Sequence, residues 1–201
     1  MSRRGGREAR RSARDERPWE SRLRGLFNSR RLWAGVGVVV LVAVLAVGIA
    51  VARRTGAAEP VSARSEETVT FSGSDPITGK RVSLDDYLGM PVVINVWGSW
   101  CPGCIAEAED LRRFAADHPE VQVVGVDLQD TKGAARAFYE RWRWTHPSVF
   151  DPDGEISFSL GLHGTPSTFF LDREHRIVSR IVGETDLAGF ERGLDAALAG
   201  G

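Results

Sequence analysis

The order of apolar and polar positions divides the chain into one long apolar run, a polar stretch and a region of alternating elements. The 21 residues from Leu32 to Ala52 include no charged side chain. A helix of that length spans about 31 Å, close to the thickness of the hydrocarbon core of a bilayer. The run therefore predicts a transmembrane helix over residues 32–52.

An export signal that is cleaved is the alternative interpretation of this run. Ala50-Val51-Ala52 has the form of a cleavage site, and Ser29-Arg30-Arg31 resembles a twin-arginine motif. The run is longer than the usual signal core of about 7–15 residues, which favours an anchor that is retained. Both interpretations place the C-terminal part of the chain outside the cytoplasm.

The charge before the apolar run gives its orientation. Residues 1–31 hold 11 Arg and 4 acidic residues, a net charge of +7. Positive flanks stay on the cytoplasmic side of a membrane, so we predict a basic cytoplasmic tail over residues 1–31 and a single-pass protein of the cell membrane. A protein anchored in this way has the lipid bilayer as one of its binding partners.

The polar stretch over residues 53–68 has little apolar periodicity and predicts a linker, so the folded domain is expected over residues 69–201. Val69–Phe71 and Arg81–Ser83 flank turn residues and predict a hairpin. The segment Ser83-Leu84-Asp85-Asp86 has the capping-box form, which predicts a short helix begun by Ser83.

Alternating strands and helices follow the hairpin. Apolar, β-branched runs predict strands at residues 92–97, 121–128, 148–150, 167–171 and 176–182. Apolar residues at helical spacing predict helices at residues 102–117, 131–142, 155–161 and 186–198. This order is typical of an α/β fold with a central sheet flanked by helices.

The amino-acid composition excludes several classes of protein. The chain is 42% hydrophobic and 26% charged, which excludes a wholly disordered or collagen-like polymer. Its two cysteines are too few for a disulfide-stapled scaffold or a four-cysteine zinc site. After the tail no run of basic residues continues, so nucleic acid is not an expected partner.

The two cysteines lie in the segment Trp100-Cys101-Pro102-Gly103-Cys104, directly after a predicted buried strand and at the start of a predicted helix. The unpaired backbone N–H groups of a helix N-terminus stabilise an anion there, which favours the thiolate of the first cysteine. Cys101 is therefore the predicted nucleophile. Cys104, one turn further on, can attack a mixed disulfide on Cys101 and release the substrate.

Two other roles are possible for the pair. A structural disulfide across two residues closes a very short loop and would stabilise the fold weakly. A zinc or copper site needs further ligands, and the four histidines share no ligand spacing with the cysteines. We therefore expect no metal, and no cofactor other than the redox-active disulfide of Cys101 and Cys104.

Two segments carry a resemblance to a known family. Residues 92–104, VVINVWGSWCPGC, together with residues 164–172, GTPSTFFLD, resemble the membrane-anchored thioredoxin-like thiol–disulfide oxidoreductases of the TlpA/ResA type, which include the thiol–disulfide proteins of cytochrome c maturation. The resemblance covers about residues 69–198 and implies a thioredoxin-like fold with a central mixed sheet. It also implies that Thr165-Pro166 is a cis bond beside the cysteines.

The resemblance assigns roles to further residues. Asn95 stands where thioredoxins have a buried Asp that handles protons, so another group must do that work. Glu107 stands three residues after Cys104, at the position of the acidic active-site residue in ResA-like reductases, and shares a helix face with Cys104. A solvated glutamate is the alternative. Predicted supporting or substrate-contacting residues are Trp100, Pro102, Gly103, Thr165 and Pro166.

Three functional hypotheses follow. The first is a tethered oxidoreductase that reduces protein disulfides outside the cytoplasm; the resemblance implies apocytochrome c cysteines as a substrate and a membrane thiol-electron donor. The second is an oxidant of exported protein thiols on the same fold. The third is a non-enzymatic Cu(I) carrier. A peroxidase is disfavoured, because the chain has no cysteine outside the Cys-x-x-Cys pair.

Overall fold

The computed structural model describes residues 38–44, 58–63 and 65–199. Residues 38–44, inside the predicted span, are helical. The tail 1–31, the rest of the span 32–52, and residues 53–57 and 64 of the predicted linker lie outside the described residues. Within the ranges that the structure describes, no helix combines the length and the apolar character needed to cross a bilayer.

Residues 58–63 and 65–199 form a compact unit, a mixed sheet with helices on both faces. Its strands are β1 (Val61–Ser62), β2 (Ser72–Ser74), β3 (Arg81–Ser83), β4 (Val92–Trp97), β5 (Gln122–Leu128), β6 (Ser148–Asp151), β7 (Ser167–Leu171) and β8 (Ile177–Val182). A 3-10 turn covers Leu84–Tyr87, and the helices are α1 (Pro102–Asp117), α2 (Lys132–Trp142), α3 (Glu155–Ser159) and α4 (Leu187–Leu198).

The main sheet has the order β1-β8-β7-β4-β5-β6, and β2 and β3 form a separate hairpin. Strands β4, β5 and β6 are parallel, whereas β7 pairs antiparallel with both β4 and β8. All six residues of β4 are buried, as its unbroken apolar run predicts for a central strand covered on both faces. The predicted α/β fold with a central mixed sheet is confirmed.

Residues assigned to the linker take part in this sheet. Val61 and Ser62 pair antiparallel with Arg180 and Ser179 on β8, and Ala63 N donates to Val178 O at 3.2 Å. The folded part therefore begins before residue 69, where the pattern placed its start. The pattern gave no sign of this because β1 is held by backbone hydrogen bonds at an edge, where its side chains stay exposed.

The capping-box prediction at Ser83 is wrong. The segment after it is a 3-10 turn, and the Ser83 side chain makes no capping hydrogen bond. Ser83 is the buried last residue of β3 and pairs with Ser72, so its hydroxyl is not placed over the following turn. The first strand of the hairpin is Ser72–Ser74, three residues later than the predicted Val69–Phe71.

Candidate active site

The loop between β4 and α1 places the two cysteines where the sequence predicts them. Cys101 is the N-cap of α1, and Pro102 is the first residue of the helix. Proline suits this position because its fixed backbone angle is helical and its missing N–H would have no partner in the first turn. Ile105 N donates to Cys101 O at 3.1 Å, so the helix is continuous from the first cysteine.

Cys101 and Cys104 form a disulfide, with their Cα atoms 5.2 Å apart. The exposed fractions of the two residues are 2% and 1%, so accessibility does not tell which one is the nucleophile. The hydrogen bonding of the two sulfurs differs, because Cys104 N donates to Cys101 Sγ at 3.2 Å. A backbone donor at this sulfur, at a helix N-terminus, favours the thiolate on Cys101.

The loop before β7 lies against the cysteine motif. The Thr165-Pro166 bond is cis, as the resemblance implies. A Cβ placed on Gly103 would come within 2.9 Å of Pro166 Cδ and 3.3 Å of Glu184 Oε2. The lack of a side chain at Gly103 thus allows both the proline loop and the Glu184 carboxylate to approach the backbone between the cysteines.

Glu107 is a buried carboxyl, with only 2% of its surface exposed. Asn95 Nδ2 donates to its Oε1 at 2.9 Å, and Thr185 N donates to its Oε2 at 3.1 Å. Asn95 Nδ2 also donates to Thr168 Oγ1 at 3.0 Å, which fixes the amide between β4 and β7. The asparagine that replaces the buried Asp of thioredoxins is therefore a hydrogen-bond donor to Glu107.

Burial raises the pKa of Glu107 to about 8, a shift that the hydrogen bonds from Asn95 and Thr185 oppose and the nearby carboxylates of Glu184 and Asp110 reinforce. Glu109, two residues along the same helix, is exposed and bonded to Arg112 at 2.7 Å. That contact lowers the pKa of Glu109. The two glutamates therefore differ as the spacing from Cys104 predicts, and the solvated alternative does not apply to Glu107.

The two tryptophans beside the motif have different surroundings. Trp97 is buried, packs against Phe138 in a tilted arrangement with 4.8 Å between ring centroids, and donates from Nε1 to Ser148 Oγ at 3.2 Å. It is a core residue. Trp100 is 52% exposed and donates from Nε1 to Leu128 O at 3.2 Å, so it presents an aromatic face to solvent next to Cys101.

Two aspartates near the motif were missed by the sequence interpretation. Asp130 Oδ2 accepts a hydrogen bond of 2.7 Å from Ser99 N and so holds the loop before Cys101. Asp127, which pairs in register with Trp97, is buried and has no hydrogen-bond partner among the described residues. Burial, reinforced by Asp130, raises the pKa of Asp127 to about 8. The sequence signal that could have identified Asp127 is its position as an acidic residue in the predicted apolar strand over residues 121–128.

Metal ligands do not cluster in this part of the chain. Over residues 38–44, 58–63 and 65–199, no group of three or more His, Cys, Asp or Glu side chains could hold a metal ion. His163, near the Thr165-Pro166 loop, is exposed.

A mixed sheet, a Cys-x-x-Cys motif at the start of the helix after a central strand, and a cis-proline loop beside that motif together define a thioredoxin-like protein. Comparison with known proteins gives the family. Residues 66–180 match the AhpC/TSA family, and the chain belongs to it.

Relatives and solved structures agree with this class. The chain is 35% identical over 108 residues to the thiol:disulfide interchange protein DsbE of Allochromatium vinosum, covering 53% of this chain and 59% of that protein. It is 28% identical over 121 residues to the thiol-disulfide oxidoreductase ResA of Bacillus thuringiensis, covering 59% of this chain and 69% of ResA. The chain thus matches about three fifths of the length of the DsbE relative.

A crystal structure of a DsbF homologue from Corynebacterium diphtheriae superimposes with a TM-score of 0.63 at 28% sequence identity, covering 68% of this chain and 91% of that one. The resemblance to ResA-type proteins that the sequence suggested is confirmed. The superposition also supports the thioredoxin-like fold that this resemblance implies.

Proposed function

We propose that this protein is a thiol–disulfide oxidoreductase, tethered to the membrane outside the cytoplasm, that reduces disulfides of other proteins. The observation that carries the proposal is the Cys101–Cys104 pair at the N-terminus of α1, with the first sulfur hydrogen-bonded to a backbone N–H. The similarity to the thiol:disulfide interchange protein DsbE and the thiol-disulfide oxidoreductase ResA supports the same chemistry.

The chemistry starts from the dithiol form of the pair. The Cys101 thiolate attacks one sulfur of a substrate disulfide; the substrate S–S bond breaks, and its other sulfur leaves as a thiolate. The Cys104 thiol then loses its proton, and its thiolate attacks Cys101 Sγ in the mixed disulfide. The second substrate sulfur leaves, so two electrons pass to the substrate while the Cys101–Cys104 disulfide forms.

Glu107 is the group that we assign to the proton of Cys104. It lies one helical turn after Cys104, on the same face of α1, and is buried with it. Its raised pKa of about 8 lies close to that of an ordinary thiol, about 8.5, so a proton can pass between the two groups with little cost. Asn95 and Thr185 orient the carboxyl for this transfer.

The substrate and the electron source belong to the same proposal. The resemblance drawn from the sequence supports apocytochrome c cysteines as a substrate and a membrane thiol-electron donor that reduces the Cys101–Cys104 disulfide after each cycle. The exposed ring of Trp100 beside Cys101 is a surface on which a polypeptide can pack.

The reduction potential of the pair separates a reductant from an oxidant. Thioredoxin-like proteins range from about −270 mV to about −120 mV, and a reductant lies near the lower value. We expect the lower value for this protein, measured by equilibration against glutathione or dithiothreitol and alkylation of the thiols. A value near the upper limit would assign the oxidant role, and tight stoichiometric Cu(I) binding without exchange would assign the copper carrier.

The membrane topology gives a second prediction. With the +7 tail before residues 32–52, an alkaline phosphatase fused after Gly201 should be active, because that enzyme requires export. A β-galactosidase fusion at the same position is the matched reporter, and it should be inactive. Activity of the second fusion without the first would place the domain in the cytoplasm and contradict the tethered, extracytoplasmic assignment.

A further inference from the structure

Residues 58–63, which we call the N-terminal strap, are bound to the loop that follows β8. Ala58 N donates to Glu184 O at 2.7 Å, and Thr185 Oγ1 donates to Ala58 O at 2.7 Å. The two bonds run in opposite directions between one strap residue and two neighbouring loop residues. The backbone of Ala58 is therefore fixed on the loop through both its N–H and its carbonyl.

The same loop reaches the proposed proton-transfer group. Thr185 N donates to Glu107 Oε2 at 3.1 Å, while the hydroxyl of Thr185 is bonded to the strap. Thr185 is buried, and the missing side chain of Gly189 provides the space for it. Thr185 thus joins the strap and the Glu107 carboxyl through atoms of a single residue.

We propose that Ala58 and Thr185 are positioning residues for Glu107: the docked strap holds the Glu184–Thr185 loop over the carboxyl, and loss of the Ala58 contacts admits water to it. The inference rests on the proposed function, in which Glu107 handles the proton of Cys104. It goes further in that the N-terminal strap, which is remote from the cysteines in sequence, influences this proton transfer.

The groups that face Glu107 determine whether opening the loop raises or lowers the pKa of its carboxyl. Asn95 on β4 and Thr185 on the loop donate to it, and the two charged groups acting on it, Asp110 on α1 and Glu184 on the loop, are acidic. Within residues 58–63 and 65–199, no cation is among the groups that shift the pKa of this carboxyl. Burial is the largest cause of its raised pKa, so opening the loop should lower the pKa even though the bond from Thr185 is lost.

Two substitutions in the full-length protein separate the strap contacts. Ala58→Pro removes the N–H that donates to Glu184 O, and Thr185→Val removes the hydroxyl that donates to Ala58 O but keeps the N–H that donates to Glu107. Ala63→Pro, which removes the Ala63 N bond to Val178 O at the other end of the strap, is the matched control. Thr185→Ser restores the hydroxyl and should rescue the valine variant.

The readout is the pH profile of the step that resolves the mixed disulfide, compared with hydrogen exchange at residues 58–63. Ala58→Pro and Thr185→Val should shift the midpoint near pH 8 to lower pH by about one unit, with faster exchange of the strap amides. Ala63→Pro and Thr185→Ser should keep the wild-type midpoint.

An unmoved midpoint in Ala58→Pro or Thr185→Val, or an equal shift in Ala63→Pro, would overturn the inference. Its failure differs from failure of the proposed function. If only the inference about the strap fails, the wild type still exchanges disulfides and the midpoints of the variants differ from those expected. If the proposed function fails, the wild type itself shows no exchange.

Discussion

Replacing Cys104 with alanine is expected to stop turnover and to leave the substrate joined to Cys101 as a mixed disulfide. The reason is that Cys101, with a backbone N–H donating to its sulfur, retains its stabilised thiolate, while the thiol that would release the substrate is gone. The trapped species is measured as a covalent adduct by mass spectrometry under non-reducing conditions. The adduct should disappear when a reductant is added.

The matched control is Cys101→Ala, which leaves Cys104 as the only thiol. Cys104 is buried, lies inside the helix and has no backbone N–H donating to its sulfur among the described residues. This variant should form little adduct under the same conditions. Equal trapping by both variants would contradict the assignment of Cys101 as nucleophile and Cys104 as resolving thiol.

Replacing Glu107 with glutamine should slow the resolving step by roughly 100-fold near pH 8, since general acid–base groups contribute about 10²–10⁴ in rate. The wild-type rate should rise with pH through the Glu107 midpoint near 8, where the carboxylate that accepts the Cys104 proton becomes populated. The glutamine variant should lack this inflection. Rapid mixing of the reduced protein with excess substrate disulfide across pH 5–9, followed by alkylation and mass spectrometry of the mixed disulfide, measures the decay of that species.

Glu109→Gln is the control for this comparison because Glu109 lies on the same helix, is exposed and is paired with Arg112. It should leave the profile unchanged. A wild-type profile in the Glu107→Gln variant would show that the buried carboxyl has no part in exchange.

The Glu107→Gln substitution should also change the free energy of unfolding, and the sign of the change follows from the raised pKa of Glu107. Between about pH 4.5 and 8 the unfolded chain releases the Glu107 proton and the folded chain keeps it, so the free energy of unfolding falls as pH rises through this window. A shift of this size corresponds to at most about 5 kcal/mol. Buried Asp127 has the same sign, so the Glu107 share is the difference between wild type and Glu107→Gln in denaturant unfolding.

The parts of the fold that the sequence predicts well are those with a local physical cause. Strand β4 is an unbroken apolar run, and α1 begins where proline can only be a first-turn residue, so their bounds agree with the structure. Strand β1 is different. Its place depends on backbone bonds to Arg180 and Ser179, far along the chain, and its own side chains carry no pattern that reports them.

The candidate site divides in the same way. The spacing from Cys104 distinguishes Glu107 from Glu109, because residues three apart on a helix share a face. The two donors that orient Glu107 differ in how far the sequence reveals them. Asn95 is a lone polar residue in a predicted buried strand, but Thr185 lies 78 residues after Glu107 and carries no signal of the contact. Only the packing of the loop after β8 against α1 brings them together.

Catalysed reduction of a polypeptide disulfide tests the central claim most directly. The rate is measured with excess dithiothreitol as electron source and the full-length protein at catalytic concentration, against a variant carrying both Cys101→Ala and Cys104→Ala. We expect many turnovers per molecule for the wild type and the uncatalysed rate for the variant. Equal rates for the two proteins would contradict it and return the Cys101–Cys104 bridge to a structural role.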